Sequence, residues 1–167
     1  MVLVEDECRV ARESDTMAIW YEIGKYPKIK VDTQREGSSF YGALNVQTGR
    51  CHLQEIAGKQ VSERTVEFLA SLEQEYSGKR VLLLWDGAPW HRGKVRDYLK
   101  RTDKACWMEI MYFPPYSPEL NPQEHVWKAA KRYACHNSEA SFANKIETFA
   151  KYITRTTFTS NFLKKYA

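Results

Sequence analysis

Three acids, Asp6, Asp86 and Glu124, stand where predicted strands and a predicted helix meet loops. Hard oxygen donors in such places are what a divalent-metal site is built from. Asp6 closes the run Val2-Leu-Val-Glu-Asp6, and Asp86 follows Val81-Leu-Leu-Leu-Trp85. Glu124 falls in the first turn of a helix that Asn121-Pro122 opens, inside the stretch F-P-P-Y-S-P-E-L-N-P-Q-E-H-V-W of residues 113–127. Each acid also has an ordinary explanation. Asp86-Gly87 is a common turn pair, and Asp6 would serve as a strand-edge acid. Glu124 would be the N3 residue of a helix capped by Asn121 with Pro122 at N1, an arrangement close to a capping box. Three such explanations must coincide to imitate a metal site, and that conjunction favours the metal.

The elements that would position these acids follow from periodicity. Residues 2–10 read as a strand whose alternation puts Val2, Val4, Asp6, Cys8 and Val10 on one face, with Leu3, Glu5, Glu7 and Arg9 on the other. The first set is the more apolar, so Asp6 is the acid expected to face covered structure, with Glu5 and Glu7 directed elsewhere. Residues 17–23 read as an additional strand and 25–37 as a polar loop containing Pro27. Residues 39–46 and 50–56 form a predicted hairpin that turns at Gln47-Thr48-Gly49. Val61, Thr65, Phe68, Leu69, Leu72 and Tyr76 recur at helical spacing, and Gly78 ends that helix. Residues 80–85 make a near-continuous apolar strand, as expected of one covered on both faces. Helices over 90–101 and 121–134, a strand over 105–113 and a mostly helical 139–165 with Ser138 as N-cap complete the pattern. The order of elements implies an α/β domain: a mixed sheet with helices on both faces.

Bulk properties narrow the class. At 167 residues, with 43% hydrophobic and 13% aromatic composition, one globular domain is expected. No apolar run approaches the length of a membrane span, and residues 1–10 lack the basic and apolar regions of a secretory signal. Cys8, Cys51, Cys106 and Cys135 are scattered without a C-x-x-C pair, which argues against zinc or a disulfide framework and fits a reducing, prokaryotic-type cytosol. Charge is uneven: residues 128–167 hold 8 Lys and Arg against 2 Asp and Glu, whereas residues 1–78 hold 9 against 13. A basic C-terminal segment, about 136–167, would be drawn to a polyanion such as DNA, although a solvated helix face gives the same composition. His91, Arg92, His125, Lys128 and Lys131 are the candidate DNA contacts, with the surface-residue reading open beside each. Trp85, Trp90 and Trp127 read as core aromatics.

W-D-G-A-P-W-H-R (residues 85–92) followed by Y-S-P-E-L-N-P-Q-E-H-V-W (residues 116–127) closely resembles the catalytic domain of DDE transposases of the mariner superfamily. The nearest branch is the insertion sequences of the IS-six-thirty type. V-E-D-E near the start and Y-G-A-L-N-V-Q-T-G after the loop fall in the same order as in that family, and the similarity spans about residues 1–135. The resemblance implies a ribonuclease H-like fold with five strands ordered 3-2-1-4-5. Carried over by position, Asp6, Asp86 and Glu124 become the three catalytic, metal-binding acids, holding two Mg²⁺ or Mn²⁺ ions about 3.5–4 Å apart. The implied activity is metal-dependent cleavage of DNA at insertion-sequence ends, then transfer of the freed 3′-hydroxyl to target DNA, with a homodimer bringing two ends together.

The chain departs from the family pattern at Gly87, where Asn is usual, and at Gln123, which replaces an aliphatic residue. It enters the catalytic strand almost at once, so the family's N-terminal helix-turn-helix domains are expected to be absent and a separately encoded DNA-binding half becomes a candidate partner. Two rival readings stand beside the transposase: a catalytically silent DNA-binding or regulatory remnant, and a plain metal-dependent nuclease of the same fold. Retention of all three acids argues against the remnant.

Overall fold

The computed structural model describes residues 1–12, 18, 20–26, 28, 36–56, 58–101, 107–136 and 138–159. Five strands form one sheet in the order β3-β2-β1-β4-β5: β1 (Val2–Ala11), β2 (Gly37–Asn45), β3 (Cys51–Ile56), β4 (Val81–Trp85) and β5 (Met108–Tyr112). The hairpin of β2 and β3 is antiparallel, as is the pairing of β1 with β2, whereas β1, β4 and β5 run parallel. This is the order implied by the family resemblance. Four helices cover the sheet: α1 (Ser62–Glu75), α2 (Lys94–Leu99), α3 (Gln123–Ala134) and α4 (Phe142–Arg155).

Alternation along β1 divides the core in two. Leu3 joins Tyr41, Phe68, Leu69, Leu72, Leu83, Trp85, Val95 and Tyr98 beneath α1 and α2. Cys8 and Val10 join Phe40, Leu44, Val126, Trp127, Phe149 and Ile153 beneath α3 and α4. Both faces of β1 are therefore covered. The expected parity and the expectation of helices on both faces hold, and Glu5, directed away from Asp6, is 1% exposed.

Three further expectations change. Ala18 and residues 20–23 form no strand, and Trp20 and Ile23 are fully exposed; Met17 and Ile19 lie outside the described residues. The helix expected over 90–101 is split into a 3-10 turn at Pro89–His91 and the short α2, because Gly93 between them adopts φ +59, outside the helical region. The C-terminal helix is shorter than 139–165: its cap is Ser141, whose Oγ accepts from Asn144 N–H, and it stops at Arg155. Ser138 instead accepts from Ala140 N–H in the preceding turn. Ala105 and Cys106 of the expected fifth strand, and residues 160–167, lie outside the described residues. Among the described residues no helix is long and apolar enough to cross a membrane.

Candidate active site

Strand register explains why Asp6 and Asp86 meet. Val2, Leu3 and Val4 of β1 lie beside Leu82, Leu83 and Leu84 of β4. Two residues further along both parallel strands brings Asp6 level with Asp86, on the same side of the pleat, at the carboxyl end of β4 where open α/β sheets bind ligands. Asp6, Asp86 and Glu124 line one cleft of about 830 Å³, with Gly87, Ala88, Arg92 and Asn121. Its remaining wall is residues 112–118, rich in aromatics and proline, where Tyr116 stands fully exposed with φ 58.

Each acid is held by a different device. Asp6 Oδ2 accepts a hydrogen bond from the Trp127 indole N–H of α3 at 3.1 Å. That contact requires α3 to lie close on the sheet, and Gly42, which pairs with Asp6 across β2, makes room for it. A Cβ at position 42 would sit 2.3 Å from the Trp127 ring and 2.5 Å from the Gln123 amide. Asp86 Oδ1 accepts from Ala88 N–H at 2.8 Å, closing an Asx turn, and lies 3.2 Å from His91 Nδ1. Glu124 projects from the first turn of α3, 4.0 Å from the Lys128 ammonium one turn on.

The helix start separates the two explanations of Glu124. The expected cap shifts by one residue: α3 begins at Gln123 with Pro122 as its N-cap, and the Asn121 Oδ1 accepts from Gln123 N–H at 3.0 Å in the turn before it. The reciprocal arm of a capping box would take Glu124 back to the Asn121 N–H. That N–H instead donates to Pro118 O at 3.0 Å, in the 3-10 turn Pro118–Leu120. Glu124 is thus released from capping and faces the cleft.

The electrostatics differ from acid to acid in the cleft. The Asp6 carboxyl is pushed up to about 7, first by burial, then by the charges of Glu7 and Glu124. Asp86 is held below the usual carboxylate range, chiefly by its hydrogen bond with His91. Carboxylate oxygens from three elements, one of them resisting ionisation for want of a nearby cation, fit a hard divalent ion.

The other candidates are dispersed. Arg92 reaches the cleft rim, its Nη2 3.5 Å from the Gly87 carbonyl, and Lys128 is exposed beside Glu124. Lys131 lies against the Cys8 thiol, and His125 is exposed but does not line the cleft. His91 corrects its surface reading: it is 4% exposed and stacks on Trp85 with ring centres 4.1 Å apart, so it cannot reach a DNA phosphate. The basic C-terminal segment offers less than its composition implied. Lys145 is buried and donates to the Arg12 carbonyl, Lys151 pairs with Glu147, and Lys164 and Lys165 lie outside the described residues. Gly87 has open space where a side chain would stand, whereas Gln123 is fully buried with its amide against the Cys51 sulfur.

Sequence reasoning missed the two donor tryptophans. Trp127 is a core aromatic as read, but its indole N–H also fixes Asp6; Trp90 likewise donates to Glu7. A buried indole needs an acceptor, and that requirement was the available signal. It also missed that Glu5, Glu7 and His91 gather on the far side of β1.

Comparison with known proteins gives a consistent result. The profile of the family described as DDE superfamily endonuclease matches residues 1–150. A protein named "Insertion element IS630 uncharacterized 39 kDa protein" from Shigella sonnei is 26% identical over 143 residues, covering 84% of this chain and 40% of its own length. An uncharacterized protein of Sinorhizobium fredii, y4pE/y4sA, is 38% identical over 68 residues, 40% of this chain and 46% of its own. The chain thus spans less than half the length of these relatives. Among solved structures, the Mos1 mariner paired-end complex with Mn superposes with a TM-score of 0.72 at 16% identity, covering 95% of this chain and 49% of that one. The catalytic core domain of BIV integrase superposes at 0.50 with 12% identity, covering 93% of this chain and 84% of that one. The fold is accordingly ribonuclease H-like.

Proposed function

The chain belongs to the DDE superfamily endonuclease family, and on that footing we propose that it is the catalytic domain of an insertion-sequence transposase. It would cleave DNA strands at the element's ends and join them to target DNA, using two Mg²⁺ or Mn²⁺ ions held by Asp6, Asp86 and Glu124. The observation that carries this reading is the convergence of those three carboxylates, from β1, the end of β4 and the start of α3, on one cleft. Support comes from the relative named for an insertion element and from the fold shared with Mos1 transposase, which has been solved with Mn and with Mg.

When bound, the ions would stabilise the attacking and leaving oxygens of an in-line displacement at phosphorus. The chain's own residues supply position. Trp127 fixes Asp6, the Asx turn and His91 fix Asp86, and the first turn of α3 presents Glu124. Arg92 and Lys128 would take backbone phosphates at the rim, and the wall of residues 112–118 would lie along the nucleotide and keep bulk water from one side. The expected partners are transposon-end and target DNA and a second copy of the chain.

The test uses supercoiled plasmid and labelled end DNA in Mn²⁺, with Glu124→Gln as control. Gln fits the first turn of a helix much as Glu does, so melting in chelator should move by about 0.5 kcal/mol or less. Cleavage should fall at least about a hundredfold, as on removal of a key electrostatic contact. A Glu124→Gln protein that cuts at the wild-type rate would remove Glu124 from the site. Cutting without joining would indicate a nuclease, and binding without cutting a regulatory remnant.

A further inference from the structure

We propose that His91 is a positioning residue: clamped between the buried pair Glu5 and Glu7 on one side and Asp86 on the other, it sets the orientation in which Asp86 receives its ion. The inference rests on the metal-site reading above and extends it to residues on the opposite face of β1.

Both ring nitrogens of His91 face acceptors. Nδ1 lies 3.1 Å from the Asp86 main-chain oxygen and 3.2 Å from its Oδ1. Nε2 lies 3.1 Å from Glu7 Oε1 and 3.5 Å from Glu5 Oε2. A ring whose two nitrogens each meet oxygen acceptors carries both protons, and it is the only cation against these acids among the described residues. Although burial opposes its charge, hydrogen bonds to Asp86 and Glu7 push its pKa up to about 11. The parallel stack on Trp85, with the planes 5° apart, fixes the ring plane, and Trp90 N–H fixes Glu7 from outside. The clamp has no slack. It ends on the carboxylate whose other described bond is the Asx turn, so Oδ1 is held from two directions while the carboxylate opens on the cleft.

Glu5, Glu7 and His91 also offer three ligand atoms within 4.8 Å of one another, which a metal ion would accept. The imidazolium is favoured because Nε2 would have to lose its proton to bind metal while two carboxylates lie within reach of it. Glu5 itself, with neither oxygen hydrogen-bonded, is lifted well above the ordinary range by burial and then by Glu7.

The experiment measures Mn²⁺ binding by calorimetry for wild type, His91→Phe and His91→Asn, with melting temperatures in chelator. Phe keeps a ring on Trp85 but no donor. The Asn amide nitrogen can take the place of Nδ1, while contact with Glu5 and Glu7 is lost in both variants. Mn²⁺ should bind at least about tenfold more weakly to His91→Phe, as when a partner that orients a metal ligand is lost. His91→Asn should stay within about threefold of wild type despite a similar loss in melting temperature. Equal Mn²⁺ affinity in the two variants would overturn the proposal and leave His91 a structural residue. Wild-type protein that takes up no Mn²⁺ would instead remove the metal-site reading, and this inference with it. Should either variant fail to fold, nitrogen-labelled wild type decides: Mg²⁺ should shift the His91 Nδ1–H signal more than those of His52, His125 and His136. An unmoved His91 signal would count against the clamp.

Discussion

Asp6 is flanked on β1 by Glu5 and Glu7, and the two faces of that one strand treat their acids in opposite ways. On the Asp6 face the partners are other carboxylates, with Lys128 and Arg92 only at the edge of an open cleft. On the other face Glu5 and Glu7 are sealed under the 3-10 turn that delivers His91, a cation carried by the protein itself. His91 sits within the Glu5 and Glu7 pair and reaches only Asp86 among the cleft acids, while Asp6 faces other carboxylates. The lesson is that acid count alone does not mark a candidate metal site; acids that converge on an open cleft, with Asp6 against other carboxylates, do so better than acids sealed around a cation. The faces are not insulated, since the charge of Glu7 helps to raise Asp6.

The comparison breaks most sharply on paired isosteric substitutions. Asp6→Asn should lower Mn²⁺-dependent strand cleavage by at least about a hundredfold, because a neutral amide cannot replace an anionic ligand. Glu5→Gln should stay within about threefold of wild type, because Glu5 does not line the cleft and Gln keeps its shape and an acceptor oxygen. Matched rates for the two variants, measured on the same plasmid, would erase the distinction drawn between the faces.

A smaller effect concerns stability against pH in chelator. Asp6, raised from 3.8 to about 7 by burial and then by Glu7 and Glu124, binds its proton more tightly folded than unfolded. The stability this gives is fully present below about 3.8 and lost as pH rises through 7. His91 is raised from 6.5 to about 11, against burial, by Asp86 and Glu7. Its contribution is fully present below 6.5 and fades towards 11. The signs agree, so metal-free protein should melt roughly 5 °C lower at pH 8.5 than at pH 6, for a change on the order of 2 kcal/mol. Mn²⁺ should raise the melting temperature more at pH 8.5 than at pH 6, because it relieves the ionised Asp6. A melting temperature that is flat or rises with pH would contradict these assignments.

Much of this was legible in the sequence, and the reasons are local. Period-two alternation in residues 2–10 gave the parity of Asp6, and the unbroken apolar run at Val81–Trp85 gave a buried central strand ending on Asp86. Sheet order came from family resemblance, because periodicity carries no information on which strands pair. What stayed hidden depends on contacts distant in sequence. His91 looked like a surface residue of a helix, but Gly93 breaks that helix and turns the ring inward onto Trp85. Glu5 and Glu7 were placed only on the face away from Asp6, because alternation gives the side of a residue and not what packs against it; the 3-10 turn at Pro89–His91 brings His91 onto them. Gly42 gave no sign of its role until Trp127 was seen crossing it. The helix start was read one residue early: Pro122, not Asn121, is the N-cap, although the Asn121 side chain does accept from Gln123 N–H, and the Asn121 N–H that a capping box needs is taken by Pro118.

The central claim is that the ion-binding face of β1 is the one carrying Asp6. It is tested most directly by growing crystals of this chain, soaking them in Mn²⁺ near neutral pH and calculating an anomalous difference map. The account predicts density in the cleft, within about 2.0–2.3 Å of carboxylate oxygens of Asp6 and Asp86, with Glu124 adjoining. Density among Glu5, Glu7 and His91 instead, with the cleft empty at saturating Mn²⁺, would contradict it.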